Sequence, residues 1–501
     1  MVPDATSLSG TALPLSVVVP VARPPPVQTE PFPPYPMHDI SHILFQAAGA
    51  DQSPATTSTF VGPVAVASAK NNNVVVHGRG LIATRDIKPG ECLFVAPPTV
   101  SANINEVKRL WSGCNGKKSI EEIAEASLLK SMKRFVKAND KTVAASFMAL
   151  TSAHSDDEDT PDLQQYDGPE IDVLLGKCEG ITELTATDTK RANDKEVLLD
   201  IIRHNAFGPD YHNYDRIEET WTACPSPDAA PYRRILGMYP LAAIINHSCS
   251  SNAIRVFAGE AMAVHANASI SKGEEIGWSY IPATQPYHAR QEQISGKFGF
   301  QCKCKRCILD GEALDEAGPD ISDGLKALDS LNVSNLCGEL IPSPPEFEEQ
   351  LQSLETLLAS PALSNEAKRS LRLGQTNFFI NYFNSALQPS NSPDRNRILS
   401  LAMNLHFSFL SFHNASTEHL SILHLCYELA AAISSIGTQD AQEKARATKK
   451  IAFWTDQLKI AHQIRFGALG NDIASVREAM KHTRVVLRNR NGMQGARWGF
   501  I

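Results

Sequence analysis

Three cysteines within six positions, Cys302-x-Cys304-x-x-Cys307, constrain this chain more than any other feature. Thiolates this close in sequence can reach one ion, and tetrahedral zinc then needs a fourth ligand from elsewhere. The rival reading is a set of unrelated surface thiols, which gives no reason for three of ten cysteines to crowd into so short a span. Count and spacing together suit metal ligation in a reducing compartment better than a disulfide framework. The remaining Cys92, Cys114, Cys178, Cys224, Cys337 and Cys426 are scattered and read as ordinary small core or surface residues.

Two further signals precede the cluster in a fixed order. The first is Asn246-His247-Ser248-Cys249. The second, Gly273-Glu274-Glu275-Ile276-Gly277-Trp278-Ser279-Tyr280, reads as a turn and a short strand ending in Tyr280. Phe298-Gly299-Phe300 then leads into the cysteines. Alone, Asn-His-Ser-Cys reads as a turn with a satisfied core histidine, and Tyr280 as a strand-end packing residue. In this order, the three resemble the catalytic core of SET-domain protein lysine methyltransferases. The likeness is to the SMYD-like and fungal SET type, with a split SET domain and a helical C-terminal region.

The rest of the chain sets the frame for that resemblance. At 501 residues, two or three domains are expected, and a hydrophobic content of 43% is ample for a core. A formal net charge of -8 argues against a nucleic-acid binder working by bulk electrostatics. No run of 18 apolar residues predicts a membrane span. Residues 1–70 are rich in Pro, Ser, Thr and Ala and read as a disordered Pro-rich tail, with structure starting near Asn72. Within that tail, Ala12 to Ala22 holds Pro14 and Pro20 and lacks a preceding basic region, so it is not read as a signal peptide. Strands are expected at Val74–His77, Leu81–Arg85 and Cys92–Ala96, and Ile87-x-x-Gly90-Glu91 is echoed by Ile270-x-x-Gly273-Glu274.

Helical spacing takes over at about 101–207, interrupting the β core as an insertion would. Ser155-Asp156-Asp157-Glu158-Asp159 within it reads as a solvated loop. Lys195 to Phe207 reads as an amphipathic helix with Val197, Leu198, Ile201 and Ile202 on one face. Residues 311–501 are mainly helical, with helices expected at Leu371–Leu387, Ile398–Phe412, Glu418–Ile436 and Ala441–Phe466. Helix pairs of tetratricopeptide type are one arrangement they allow, although the signature of that repeat is not clear. Arg484 to Ile501 reads as a loose basic tail. The expected fold class is α+β: a mainly-β SET fold with a pseudoknot and helical insertion, a zinc-bound post-SET segment, and an all-α C-terminal region. The split SET domain with its cluster is placed at 71–310.

The resemblance also assigns roles. It makes Cys249 the fourth ligand beside Cys302, Cys304 and Cys307, giving one structural zinc site. The scattered cysteines cannot supply the two-zinc MYND module of SMYD proteins. It implies that S-adenosylmethionine is held by His77, Gly78, Arg79, Gly80, Asn205, Asn246 and His247, and covered by Phe298 and Phe300. Tyr280 is the implied catalytic tyrosine, and Tyr280, Phe298 and Phe300 line the implied substrate channel. Methyl transfer from a sulfonium to an amine is an in-line displacement, and a phenol offers an oxygen near the methyl without a full charge.

Three positions depart from the pattern. Ser251-Asn252 stands where relatives usually have Pro before Asn, Phe298 stands where many have Tyr, and Gly277 is smaller than usual. Loss of the proline is expected to loosen its turn while removing no chemical group.

The expected function is S-adenosylmethionine-dependent protein-lysine N-methylation of histone or other protein lysines. The alternative is a catalytically inactive SET-fold protein-interaction module. A zinc-dependent nucleic-acid binder is a weaker third reading. The expected partner is a protein with a target lysine, with no membrane and no direct nucleic-acid binding. The chain is expected to be a monomer in the nucleus, the cytoplasm or both.

Overall fold

The computed structural model describes residues 59–68, 78–102, 107, 110, 120–138, 140–150, 163, 169–178, 180, 181, 183–207, 236–258, 261–319, 321, 323–326, 344–387, 394–435 and 440–466. His77, the strand expected at Val74–His77, the acidic loop at 155–159, the tail at 484–501 and most of the N-terminal tail lie outside them.

Three small sheets form the first half. β1 (Phe60–Val61), β4 (Cys92–Ala96), β10 (Ala261–Ala266) and β9 (Ala253–Ala258) make one, in the order β1-β4-β10-β9. β2 (Val64–Ser68), β3 (Arg79–Ala83), β11 (Glu275–Trp278) and β8 (Asn246–His247) make the second, in the order β2-β3-β11-β8. β5 (Val100–Ser101), β7 (Gly237–Met238) and β6 (Ala206–Phe207) make the third. Among the described residues strand structure therefore begins at Phe60, twelve residues before the expected start at Asn72 and inside the stretch read as disordered. Val64 to Ser68 pair with β3 along their whole length, and Val64 and Ala67, which point to opposite faces, are both buried. Proline-rich average composition hides this short apolar run.

The echoed turns pair with each other. Ile87 and Ile270 form an antiparallel bridge, with Ile87 N donating to Ile270 O at 2.8 Å and Ile270 N to Ile87 O at 3.0 Å. Gly90 N donates to Ala266 O at 2.7 Å, and Gly273 N donates to Ala83 O at 2.8 Å. Both glycines have positive φ, 85° and 82°, so each turn needs glycine. The repeated motif is thus an approximate local twofold that locks the first two sheets together.

The insertion contributes α1 (Ile120–Lys137), α2 (Lys141–Met148), α3 (Glu170–Leu174), α4 (Ala186–Asn193) and α5 (Lys195–Asn205). Asp194 caps α5 by accepting from the N–H groups of Glu196 and Val197. Leu198, Ile201, Ile202 and Asn205 form its buried face, at helical spacing. That periodicity carries a polar residue, Asn205, into the core at the helix end. The short α6 (Pro240–Ala243) opens on proline at its first turn and leads into β8.

Beyond β11 come α7 (Tyr287–Phe298) and α8 (Lys305–Ala317), which flank the cysteine cluster. α9 (Pro344–Leu358), α10 (Asn365–Gly374), α11 (Thr376–Ala386), α12 (Arg395–Phe412), α13 (Thr417–Ser435) and α14 (Ala441–Phe466) follow. The helix expected at Leu371–Leu387 is in fact two, broken at Gly374–Gln375. A Cβ on Gly374 would lie 3.2 Å from the Pro286 Cα, so the break sits where this segment crosses the chain entering α7. Phe347, Phe378, Phe379, Phe383 and Phe409 anchor the core of this region. No helix among the described residues is long and apolar enough to cross a membrane.

Candidate active site and metal centre

The site is built where two distant segments run side by side. β8 pairs in parallel with β11, Asn246 opposite Gly277 and His247 opposite Trp278. Ser248 N donates to Trp278 O at 2.8 Å, and Asn252 N donates to Gly277 O at 3.1 Å. A Cβ on Gly277 would lie 3.2 Å from Ser248 Cβ and 3.5 Å from Asn246 O. The unusual glycine thus admits a neighbouring backbone. Gly80 makes room from the other side for two side chains, since its Cβ would fall 2.8 Å from Glu275 Oε1 and 2.9 Å from Asn246 Nδ2.

Asn246 lies between these strands. Its Nδ2 donates to Glu275 Oε1 at 2.6 Å and to Arg79 O at 3.2 Å. Asn252 stitches the same junction, with Oδ1 accepting from Gly277 N at 2.8 Å and Nδ2 donating to Glu275 O at 2.8 Å. The sequence alone does not single out Glu275 and Asn252. Their signal is adjacency to the motif residues, which is too weak to read without the pairing.

His247 joins three parts of the site. Its Nδ1 accepts the Tyr280 backbone N–H at 3.0 Å, so Nε2 carries the proton and faces Cys249 Sγ at 3.2 Å. Its ring lies 5.2 Å from that of Tyr280 and 6.1 Å from that of Phe300. Tyr280, two residues beyond the end of β11, donates its hydroxyl to Ile245 O at 2.7 Å. Burial, and then the nearby Glu275, push the Tyr280 phenol well above its ordinary pKa, so it stays neutral. Phe298 ends α7 with its ring 5.1 Å from Tyr280, and Gly299 (φ 76°) closes the helix. Phe300 beyond it is 40% exposed.

The first expected cofactor loop is partly described. Gly78 has φ +72°, and a Cβ on it would meet nothing within 4 Å among the described residues. The Arg79 guanidinium donates to Ala149 O at the end of α2, so this side chain is tied to the insertion. Asn205 donates to Ile201 O at 2.9 Å. The next residues carry Phe207 onto Trp278, with ring centroids 5.6 Å apart, which brings the end of α5 against β11. Gly80 thus lies against Asn246, and the end of α5 packs on β11 through Phe207.

The metal centre is compact. The Sγ atoms of Cys249, Cys302, Cys304 and Cys307 all lie within 4.8 Å of one another, and Cys249 Sγ and Cys302 Sγ are 4.0 Å apart. Four thiolates about 2.3 Å from a tetrahedral zinc would sit about 3.8 Å apart, so the set fits one ion. The surroundings fit its charge. Arg290 and Arg306 are both 0% exposed, and Arg290 Nη2 lies 3.8 Å from Cys307 Sγ. The buried carboxylate beside them, Asp310, accepts from Arg290 Nη2 at 2.5 Å. Two buried cations against one anion need further negative charge, and a zinc tetrathiolate carries it. Gln291 clamps the cluster loop, with Nε2 donating to Cys302 O at 2.9 Å and Oε1 accepting from Cys302 N at 3.0 Å. Arg290 and Gln291 escape a sequence reading that assigns no element to residues 287–297.

Ser251 corrects an expectation. In place of a looser turn, its hydroxyl makes a hydrogen bond to His413 Nδ1 at 2.8 Å, and the residue is only 6% exposed.

Comparison with known proteins places a family on part of the chain. Residues 78–281 match the family described as SET domain. Over 91 residues, 18% of this chain and 19% of the relative, the chain is 38% identical to Histone-lysine N-methyltransferase ASHR1 of Arabidopsis thaliana. It is 40% identical to N-lysine methyltransferase SMYD2-B of Danio rerio over 72 residues, 14% of this chain and 17% of that one. The matched stretch thus spans about a fifth of these relatives. A structure of Rubisco LSMT bound to AdoMet aligns with 91% of this chain and 97% of its own at 14% identity, with a TM-score of only 0.27. Residues 78–281, which hold the paired β8 and β11 and Cys249, therefore match a SET domain, and the other three cysteines of the cluster follow directly after it.

Proposed function

We propose that this chain is an S-adenosylmethionine-dependent protein-lysine N-methyltransferase. The observation that carries the reading is the convergence of Asn246, His247 and Tyr280 on the junction of β8 and β11, within the SET match. The bound cofactor would supply an electrophilic methyl on a sulfonium. Asn246 and the backbone around His247 would hold its amino-acid end, with Gly78 to Gly80 and Asn205 completing the pocket and His77 extending it. Phe298 and Phe300 would cover the ligand and, with Tyr280, line a channel for the lysine.

Tyr280 would act as a neutral oriented phenol. Its hydroxyl hydrogen is engaged by Ile245 O, so the oxygen would meet the reacting groups as an acceptor. A phenol held this firmly in the protonated form is no general base, so the lysine must arrive neutral. The aromatic walls would favour that by desolvation. Zinc at the four cysteines would be structural, fixing α7 and Phe298-Gly299-Phe300 over the site.

On this reading the chain divides into a split SET domain with its zinc segment, which takes in β1 and β2 and ends near 310, and a helical region from 311. The substrate would be a histone or another protein, in the nucleus or the cytoplasm, and the chain would act as a monomer. Incubation with labelled cofactor and cell extract, followed by identification of labelled lysines, tests the reading.

A further inference from the structure

The turn between α12 and α13 touches the SET core at two points. One is the Ser251–His413 hydrogen bond at 2.8 Å. The other is a reciprocal pair: Asn267 Nδ2 donates to Asn414 O at 3.1 Å, and Asn414 Nδ2 donates to Asn267 O at 3.0 Å.

The turn itself is strained and held from behind. Ala415 is the one non-glycine residue with positive φ (57°) among the described residues, and it is fully buried. Its N–H donates to His419 Nδ1 at 3.0 Å, and its carbonyl accepts from Arg465 Nη1 at 3.1 Å. A side-chain-bearing residue stays in that conformation only where its surroundings over-determine it.

Both contact points lead to the site. Asn267 N donates to Asn252 O at 3.0 Å, and Asn252 fixes Gly277 and Glu275, the latter being the partner of Asn246. Ser251 lies two residues from Cys249. We propose that His413 and Asn414 are positioning residues that brace the Asn246–Asn252 loop, so that the C-terminal helical region completes both the cofactor pocket and the metal centre. The cofactor half of this inference rests on the function proposed above, whereas the metal half stands on the four cysteines alone.

The test uses the zinc-loaded full chain as wild type, Ser251→Ala, His413→Phe, the double variant and His413→Asn. Three quantities are read: the rate of zinc transfer to a chromogenic chelator, the Kd for S-adenosylmethionine, and the thermal midpoint. Each single variant should speed zinc transfer and weaken cofactor binding by about fivefold, the fold-change of one lost hydrogen bond. The double should be no worse than the weaker single, because both remove the same bond. His413→Asn places a polar group near Nδ1 and should restore both readings to within about twofold. If His413→Phe does not fold, Ser251→Ala decides alone, since removing an oxygen cannot overpack the site. Unchanged zinc transfer and affinity in Ser251→Ala, additive effects in the double, or a fall in thermal midpoint as the sole change overturns the brace. A wild type that binds no cofactor contradicts the proposed function and leaves zinc transfer to decide the brace.

Discussion

The backbone N–H of Tyr280 donates to Nδ1 of His247 at 3.0 Å, and the opposite ring nitrogen of His247 lies 3.2 Å from Cys249 Sγ. One imidazole therefore connects the aromatic residue proposed for chemistry to a ligand of the metal centre. Outer partners of this kind orient ligands and are sensitive to their loss. Metal removal should consequently be felt at Tyr280 and not only in the cysteine loop.

The first expected outcome concerns that metal. Purified protein should hold one zinc per chain, and Cys249→Ser should lose it, because structural zinc contributes directly to folding free energy. Arg290→Ala should cost about 3–5 kcal/mol by leaving Asp310 buried without its main partner. Elemental analysis and chemical denaturation check the two. A metal-free wild type, or two zincs per chain, contradicts the assignment.

Asn246→Ala removes the amide that bridges Glu275 and Arg79 O. It should weaken S-adenosylmethionine binding by about 1–3 kcal/mol, the usual cost of leaving buried polar partners unpaired. Calorimetry on a folded variant with wild-type affinity would remove Asn246 from the pocket.

Acid sensitivity arises from buried histidines. Burial lowers His265, His406 and His462 to about 4 and His413 to about 3, and it also lowers His419. Unfolded imidazoles take up protons near pH ~6.5. Below that pH the unfolded chain binds more protons than the folded one, so stability is complete above about pH 6.5 and falls as the pH drops towards 4. Each histidine costs about 1.4 kcal/mol by pH 5.5, several kcal/mol together. Denaturant unfolding at about pH 7.5 and about pH 5.5 measures this, and equal stability at both would show that these rings are not buried neutral.

Much of the site is legible in the sequence because its residues sit in ordered motifs. Cys302, Cys304 and Cys307 announce a metal by spacing, and Asn246 to Cys249 gain meaning from Tyr280 and the cysteines downstream. The hidden part depends on contacts between segments far apart in sequence. Glu275 and Asn252 matter only because β8 passes beside β11, and Arg290 only because α7 packs on the cluster. The strand at Val64–Ser68 is lost to average composition, and the break at Gly374 to a periodicity that runs across it. Ser251 misleads because a missing proline suggests slack, whereas its hydroxyl finds a partner 162 residues away.

The most direct test of the central claim compares Tyr280→Phe with wild type in methyl transfer from labelled S-adenosylmethionine to protein lysines. The variant keeps the aromatic packing on His247 and Phe298 and loses one hydroxyl. Thermal midpoint and cofactor affinity should change little, while turnover falls by about tenfold or more, the equivalent of at least ~1.4 kcal/mol of transition-state stabilisation. Undiminished turnover in Tyr280→Phe, or a wild type that binds cofactor and methylates nothing, would contradict it.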